Sequence, residues 1–250
     1  MKQPFIQFVD VHKSFGSNLV MKGVNLSIYK GEITAIIGRS GCGKSVLLKH
    51  IIGLIEQDSG DILIDGNSLM LMDKQQKHLF KRKLSYMFQD NALFDSMTVF
   101  DNIALPLAEK SNLTKEKIRE RVNTRMEQLE IQGAAMNYPA QLSGGMKKRV
   151  ALARALVTDP DIVLFDEPTT GLDPVRKNGV HHMIRDYQKR FGFTGVIVSH
   201  EIPDVFQISQ RVAMLERGHI IFQGSSEEIL NSTDQDVRSF INGQGDYKDS

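Results

Sequence analysis

Residues 33–45 read Ile-Thr-Ala-Ile-Ile-Gly-Arg-Ser-Gly-Cys-Gly-Lys-Ser, an apolar run followed by a glycine-rich loop. The loop, Gly38–Ser45, matches the pattern G-x-x-x-x-G-K-[ST], and the residues after it, Val46–Leu54, have a helical pattern. In such a loop the backbone N–H groups and the positive end of the helix surround phosphate groups. The stretch therefore predicts an α/β fold built around a phosphate-binding loop.

The residue types of this loop have distinct predicted roles toward a bound nucleotide. Lys44 reaches the β and γ phosphates, and Ser45 can ligate Mg²⁺. A chance glycine-rich turn is the alternative, and the strand and helix on either side of the loop argue against it. The residues predicted to contact the nucleotide are Gly38, Arg39, Ser40, Gly41, Cys42, Gly43, Lys44, Ser45 and Val46.

Cys42, inside the loop, has two interpretations. The N-terminal end of a helix could lower its thiol pKa and make the thiol reactive. Alternatively, it is a small residue that fills space. Because it is the single cysteine of the chain, it also rules out an internal disulfide.

Composition limits the class of protein. The chain has 250 residues, 41% of them hydrophobic and 24% charged, which suits one large α/β domain or a domain with a subdomain. Its 31 basic and 30 acidic residues give a formal charge of +1, so no overall field attracts nucleic acid. No apolar run approaches the roughly 18–20 residues that span a bilayer, and residues 1–30 lack a signal-peptide core. We expect a soluble or peripheral subunit.

Strand-like runs separated by helical patterns indicate βαβ units. Three of them, Ile33–Ile37, Ile162–Phe165 and Val196–Val198, are almost wholly apolar, as in central parallel strands that are covered on both faces. The early and late runs alternate more, which favours an antiparallel flank. The predicted strands are Phe5–Val11, Val24–Ile28, Ile33–Ile37, Asp61–Ile64, Leu84–Phe88, Ile162–Phe165, Gly195–Ser199, Arg211–Leu215 and His219–Phe222.

Two segments differ from this pattern. Between Asp90 and about Asp159 no strand is predicted, and helical spacing there indicates an inserted helical subdomain. The apolar residues with that spacing are Ile118, Val122, Met126 and Leu129. From Ser225 to Ser250 we expect short helices and a frayed end. The apolar trio of this end, at Val237, Phe240 and Ile241, either docks on a partner protomer or covers its own sheet.

An acidic pair follows the apolar run Ile162–Phe165. The strand would deliver Asp166 and Glu167 to the carboxyl edge of the sheet, where nucleotides bind. Asp166 is predicted to hold the Mg²⁺ shell, and Glu167 to orient or deprotonate the attacking water. A surface acidic turn before Pro168 is the alternative.

Two further polar residues follow predicted strands. His200 comes after Gly195–Ser199, and its imidazole could hydrogen-bond the γ-phosphate, although a histidine in this position is often structural. Gln89 comes after Leu84–Phe88, and its amide could touch both Mg²⁺ and the attacking water.

A second glycine turn, Leu142-Ser143-Gly144-Gly145-Met146, opens another helical stretch. Its exposed N–H donors form a second anion site at a positive helix end. One subunit cannot fold this site onto its own nucleotide, so two copies are expected to share two ATP molecules. An ordinary helix cap is the alternative.

Taken in order, these motifs resemble the ABC-type ATPase family over nearly the whole chain. In that family two ATPase domains pack head to tail, which implies that Ser143, Gly144 and Gly145 act on the ATP of the other copy. The resemblance places Asp173 at the dimer seam and Phe15 against adenine, although a phenylalanine beside a strand is often a core residue. Met146 departs from the glutamine often found at its position.

The resemblance also implies the organisation of the chain. Residues 1–250 would form one ABC ATPase domain with a P-loop NTPase fold, a mainly parallel central sheet, an antiparallel β flank and an inserted helical subdomain. Residues 1–89 and 160–224 would form the RecA-like core with the flank. Residues 90–159 would form the helical subdomain, and residues 225–250 a C-terminal extension.

The segments 89–107, 142–149, 169–174 and 236–243 look like those of ATPases from bacterial intermembrane phospholipid transport (Mla) systems. This implies ATP hydrolysis with Mg²⁺ that powers phospholipid transport through membrane permease subunits and lipid-binding partners, at the cytoplasmic face of the inner membrane. Three alternatives remain: an ATPase for another cargo such as an amino acid or a lipoprotein, a soluble ABC ATPase that acts on DNA or ribosomes, and a non-hydrolysing structural subunit.

Overall fold

The computed structural model describes residues 3–88 and 92–243, and for Lys110 the backbone only. These residues form two compact units, one of residues 3–77 with 194–243 and one of residues 78–193. The strands are β1 Ile6–Phe15, β2 Asn18–Ile28, β3 Ile33–Ile37, β4 Ser59–Ile64, β5 Asn67–Ser68, β6 Leu84–Met87, β7 Ile162–Asp166, β8 Thr194–Ser199, β9 Arg211–Glu216 and β10 His219–Gly224. The helices are α1 Lys44–Ile51, α2 Lys74–Arg82, α3 Val99–Lys110, α4 Lys115–Gln128, α5 Gly144–Leu156, α6 Pro174–Phe191, α7 Ser226–Leu230 and α8 Gln235–Ile241.

The first unit contains the sheet that carries the glycine-rich loop. Its strands lie in the order β10-β9-β3-β8, and β3 runs parallel to both β8 and β9. Every residue of β3 and β8 is buried, as expected for parallel strands covered on both faces. Ile37, the last residue of β3, pairs with Ser199 on β8 and Met214 on β9. The carboxyl ends of these three strands therefore lie at one edge of the sheet.

The second sheet of this unit is antiparallel, in the order β2-β1-β4-β5. This confirms the predicted early flank, although β1 and β2 are longer than expected. The prediction for the late strands is wrong in part, because β9 pairs in parallel with β3 and only β10 is antiparallel. The four middle residues of β9, Val212–Leu215, are all buried, which is the burial of a parallel strand covered on both faces.

Helix α1 follows the loop directly and confirms the predicted strand–loop–helix unit. Gly43 precedes it with a φ of 106° and supplies no side-chain cap. The apolar side chains of Leu47, Leu48 and Ile51 are buried, and the helix packs on β8. The loop is therefore fixed between a buried strand and a buried helix.

The second unit contains the parallel pair β6 and β7, in which Met87 is opposite Phe165. Helices α3, α4 and α5 pack against one another, and residues 92–161 of this unit contain no strand. Val122, Met126 and Leu129 are buried, which confirms the helical spacing, while Ile118 is half-buried. The fold class is thus confirmed, and the subdomain limits stay a prediction.

The chain closes the first unit with two short helices, as predicted. A capping box between Ser225 and Glu228 starts α7, and Asp234 caps α8. Val237 is fully buried within the chain and α8 contacts α7, which favours the interpretation that this end covers its own unit. Among the residues that the structure describes, we find no helix with the length and apolar character needed to cross a bilayer.

Candidate nucleotide site

The glycine-rich loop winds tightly around Lys44. Its ammonium donates hydrogen bonds to the carbonyl oxygens of Gly38 and Arg39, both at 2.9 Å, and the residue is only 4% exposed. A Cβ on Gly38 would collide with the carbonyl oxygen of Leu215, and one on Gly43 would lie 2.8 Å from Cγ1 of Val20. The loop therefore accepts only glycine at these two positions. It forms a cationic cradle at a helix N-terminus, the arrangement that suits phosphate.

His200 lies at the same sheet edge as the cradle. It follows Ser199, the register partner of Ile37, and Ile37 directly precedes Gly38. The His200 residue is exposed at this edge. The geometry agrees with a phosphate contact, and the role of His200 stays a prediction.

Phe15 ends β1 as an exposed aromatic ring rather than a core residue. It is 46% exposed, and the Lys13 ammonium lies 5.5 Å from the ring centroid. Lys13 is itself held by Asp58 at 2.7 Å. An exposed ring of this kind is available for stacking, as the predicted adenine contact requires.

Cys42 does not have the features of an activated thiol. Burial raises the pKa of its thiol, and the nearby charge of Lys44 opposes that rise only in part. The hypothesis of a lowered pKa is therefore wrong. The interpretation as a space-filling residue agrees with the structure.

The acidic pair lies at the end of β7 in the second unit: Asp166 is the last residue of the strand and Glu167 follows it. The Tyr86 hydroxyl on β6 donates a hydrogen bond of 2.6 Å to Oδ2 of Asp166. Glu167 adopts a left-handed backbone with φ of 48°, and the hydroxyl of Thr170 donates to its Oε2 at 2.9 Å. Both carboxylates are half-buried, which argues against a solvated surface turn. Tyr86 was missed in the sequence because it lies in an apolar strand-like run with no polar motif around it.

The second glycine turn caps a helix and is also open. Ser143 Oγ accepts a hydrogen bond from the Met146 N–H at 3.3 Å and so caps α5. Gly144 and Gly145 are exposed, and a Cβ on either would meet no atom within 4 Å. The cap interpretation is correct for Ser143, and the open helix end remains compatible with an anion site.

Asp173 has a similar local role at the start of α6. Its carboxylate accepts a hydrogen bond from the Arg176 N–H at 3.1 Å and forms an ion pair of 3.2 Å with the Arg176 guanidinium. Its place at a dimer seam stays a prediction. The predicted Gln89 lies outside the described residues.

The donor atoms agree with magnesium held jointly with a nucleotide. Within residues 3–88 and 92–243, no group of three or more His, Cys, Asp and Glu side chains is arranged to hold a metal ion. Asp166 in the second unit offers a carboxylate, and Ser45 in the first unit offers a hydroxyl; each is a type of oxygen ligand that Mg²⁺ accepts. Mg²⁺ usually takes one or two such ligands and completes its shell with waters and substrate phosphates.

Comparison with known proteins agrees with these features. The family model described as ABC transporter matches residues 21–170. The intermembrane phospholipid transport system ATP-binding protein MlaF of Haemophilus influenzae is 35% identical over 98% of this chain and 93% of its own length. The "Probable ribonucleotide transport ATP-binding protein mkl" of Mycobacterium leprae is 38% identical over 96% of this chain and 69% of its own length.

A solved structure of the ATP-binding cassette MJ0796, a dimer in a post-hydrolysis state bound to ADP and Pi, has a TM-score of 0.76. It is 30% identical and covers 88% of this chain and 98% of its own. The match extends over both described units. These similarities confirm the resemblance inferred from the motifs: the chain belongs to the ABC transporter family and is an ATP-binding and ATP-hydrolysing subunit of that family's type.

Proposed function

We propose that the chain powers phospholipid transport between the inner and outer membranes of a bacterium, from the cytoplasmic face of the inner membrane. The observation that carries this proposal is the match to MlaF, which extends over 98% of this chain and 93% of the relative. The mkl relative matches over 69% of its length and raises a second candidate, a ribonucleotide cargo. The more complete alignment favours phospholipid.

In the proposed site, Lys44 and the loop amides bind the ATP phosphates. Ser45 and Asp166 would hold Mg²⁺, with Gln89 as a further ligand. The metal would neutralise charge on the phosphate oxygens.

Glu167 would orient and deprotonate the attacking water, and His200 would hydrogen-bond the γ-phosphate. The position of Glu167 directly after the buried strand β7 supports this role, because strand ends at the carboxyl edge of such a sheet carry the groups that meet a nucleotide.

We further propose that two copies complete each other's sites. Ser143, Gly144 and Gly145 of one copy would contact the γ-phosphate held by its partner, with Asp173 at the seam. The exposed and sterically open start of α5 supports this arrangement. The dimeric state of the related cassette MJ0796 supports it independently.

The role of Glu167 is tested by Glu167→Gln. The amide keeps the side-chain size and loses the base, so we expect ATPase turnover to fall on the order of 10²–10⁴-fold while ATP binding persists. The variant should accumulate as an ATP-bound dimer in size-exclusion chromatography. Glu120→Gln, a change at an exposed position of α4, is the control and should keep wild-type turnover. Near-normal turnover of Glu167→Gln would remove Glu167 from the mechanism.

The cargo is tested on the complete complex. The tagged chain is purified from its native membrane with its partners, and bound small molecules are identified by mass spectrometry. We expect membrane permease subunits, co-purifying phospholipid and ATPase activity that responds to added phospholipid. A complex that carries no phospholipid above a control ABC complex, and whose ATPase activity responds to ribonucleotides, would replace this proposal with the second candidate.

A further inference from the structure

A tyrosine hydroxyl contacts the carboxylate of the proposed metal ligand. Tyr86 and Asp166 are 80 residues apart in sequence and belong to neighbouring strands of the same unit. Their hydrogen bond of 2.6 Å lies at the short end of the range for an O–H donor. A tyrosine phenol is ordinarily protonated at neutral pH, so the hydroxyl can act as the donor of this bond.

The ring that carries this hydroxyl is fixed. Tyr86 pairs with Leu164 in the β6 and β7 ladder, and its ring packs on Phe88 with centroids 4.4 Å apart. The donor is therefore presented by a strand and a ring contact rather than by a mobile side chain. A fixed donor limits the rotation of the carboxylate that accepts from it.

We propose that Tyr86 is a positioning residue that orients the Asp166 carboxylate for Mg²⁺. The inference rests on the proposed site, in which Asp166 is a metal ligand. Hydrogen-bond partners of metal ligands orient them, and loss of such a partner typically costs 10–100-fold in metal affinity. A phenylalanine would serve the packing equally well, so the hydroxyl is the part of Tyr86 that acts on the metal ligand.

The test measures metal dependence without turnover. In the full chain carrying Glu167→Gln, the free Mg²⁺ concentration that half-saturates binding of radiolabelled ATP is compared with and without Tyr86→Phe. We expect Tyr86→Phe to raise that concentration about tenfold. ATP affinity in excess EDTA should stay unchanged, because the bound nucleotide then has no metal to coordinate.

Ser85→Ala is the matched control. Ser85 is the neighbour of Tyr86 on the same strand, and its hydroxyl donates a hydrogen bond of 2.5 Å to the carbonyl oxygen of Ala155. The alanine variant therefore also loses one hydroxyl hydrogen bond, but one that does not involve the acidic pair. It should leave the Mg²⁺ dependence unchanged. A similar shift in both variants, or a change below twofold or toward tighter Mg²⁺ binding in Tyr86→Phe, would overturn the inference.

Asp166→Asn separates this inference from the proposed site. If it raises the Mg²⁺ requirement and Tyr86→Phe does not, Asp166 keeps its role and the role of Tyr86 is rejected. If Asp166→Asn leaves the Mg²⁺ requirement unchanged, the metal assignment fails and the inference fails with it.

Discussion

Cys42 is a half-buried residue for which the structure favours a lower reactivity than its motif suggests. Because burial raises its pKa, less thiolate is present at a given pH than in a free thiol. We expect iodoacetamide to react more slowly with Cys42 than with the thiol of glutathione at pH 8. As the pH rises, the reaction rate of Cys42 should still increase at pH values where the rate for glutathione has reached its plateau. Labelling is followed by mass spectrometry with glutathione in the same tube. A rate equal to or above that of glutathione would contradict the assignment.

Ser143 caps α5 and has a second, proposed role at the γ-phosphate, and a single substitution can separate the two. Aspartate caps helices as well as serine does, and its charge suits a helix N-terminus. Ser143→Asp should therefore leave the free energy of unfolding within about 0.5 kcal/mol of wild type. Its carboxylate would repel a γ-phosphate at the proposed site, so ATPase turnover should fall at least about tenfold.

The matched control is Thr114→Asp, because Thr114 caps α4 in the same way, by accepting from the Lys117 N–H. That variant should keep both stability and turnover. Stability is measured by urea unfolding, and turnover by phosphate release. Wild-type turnover in Ser143→Asp would reject the γ-phosphate role and leave Ser143 with its role as a helix cap alone.

At the scale of an element, Asn102 ties helix α3 to the loop before it. The residue is fully buried, and its Nδ2 lies 3.0–3.1 Å from the carbonyl oxygens of Phe94, Met97 and Thr98. Its Oδ1 accepts from the Phe94 N–H at 2.8 Å. Asn102→Ala removes all four bonds; the carbonyl oxygens of Phe94 and Thr98 keep the N–H groups of Met97 and Asn102 as donors, whereas the Phe94 N–H and the Met97 carbonyl oxygen lose their bond to the Asn102 side chain. The loss of these two bonds from a buried site should lower the free energy of unfolding by roughly 2–4 kcal/mol.

The comparison for this prediction is Asn123→Ala on the exposed side of α4, which should change stability by less than about 0.5 kcal/mol. Urea titrations of both variants provide the measurement. Equal stability of the two would show that the Asn102 bonds contribute little beyond those that water supplies in the unfolded chain.

The elements show which features the sequence pattern can predict. Burial on both faces makes β3 and β8 continuous apolar runs, so their positions were predicted within one residue. The two-residue β5 has no such pattern, because it is defined only by its pairing with β4. The parallel partner of β9 was missed for the same reason: pairing depends on residues far away in the chain.

For the whole molecule, local motifs predicted the loop, the acidic pair and the helix start at Ser143, because each depends on neighbours within a few residues. Tyr86 could not be found in this way. Its contribution depends on Asp166, 80 residues away, and on the strand register that brings the two together. Sequence motifs therefore predicted the residues that act on the nucleotide, including Asp166, but not Tyr86, the hydrogen-bond partner of Asp166.

The proposed dimer with shared sites predicts a specific result when defective copies are mixed. Lys44→Ala and Ser143→Asp should each have low turnover alone, at most about a tenth of wild type for Ser143→Asp, whereas a mixed dimer has one intact composite site. Random pairing makes about half of the dimers mixed, so an equimolar mixture should recover about a quarter of wild-type turnover. Two different tags and sequential purification verify that mixed dimers form.

The matched control places both changes in one chain and mixes it with wild type. If sites are shared, every mixed dimer is inactive, because each intact Lys44 faces a defective Ser143, and about a quarter of the turnover remains. If each chain used its own Ser143, mixed dimers would keep one working site and about half would remain, while the first mixture would stay at low turnover. The two mixtures thus move in opposite directions under the two arrangements, and a general loss of stability in either variant cannot imitate that pattern.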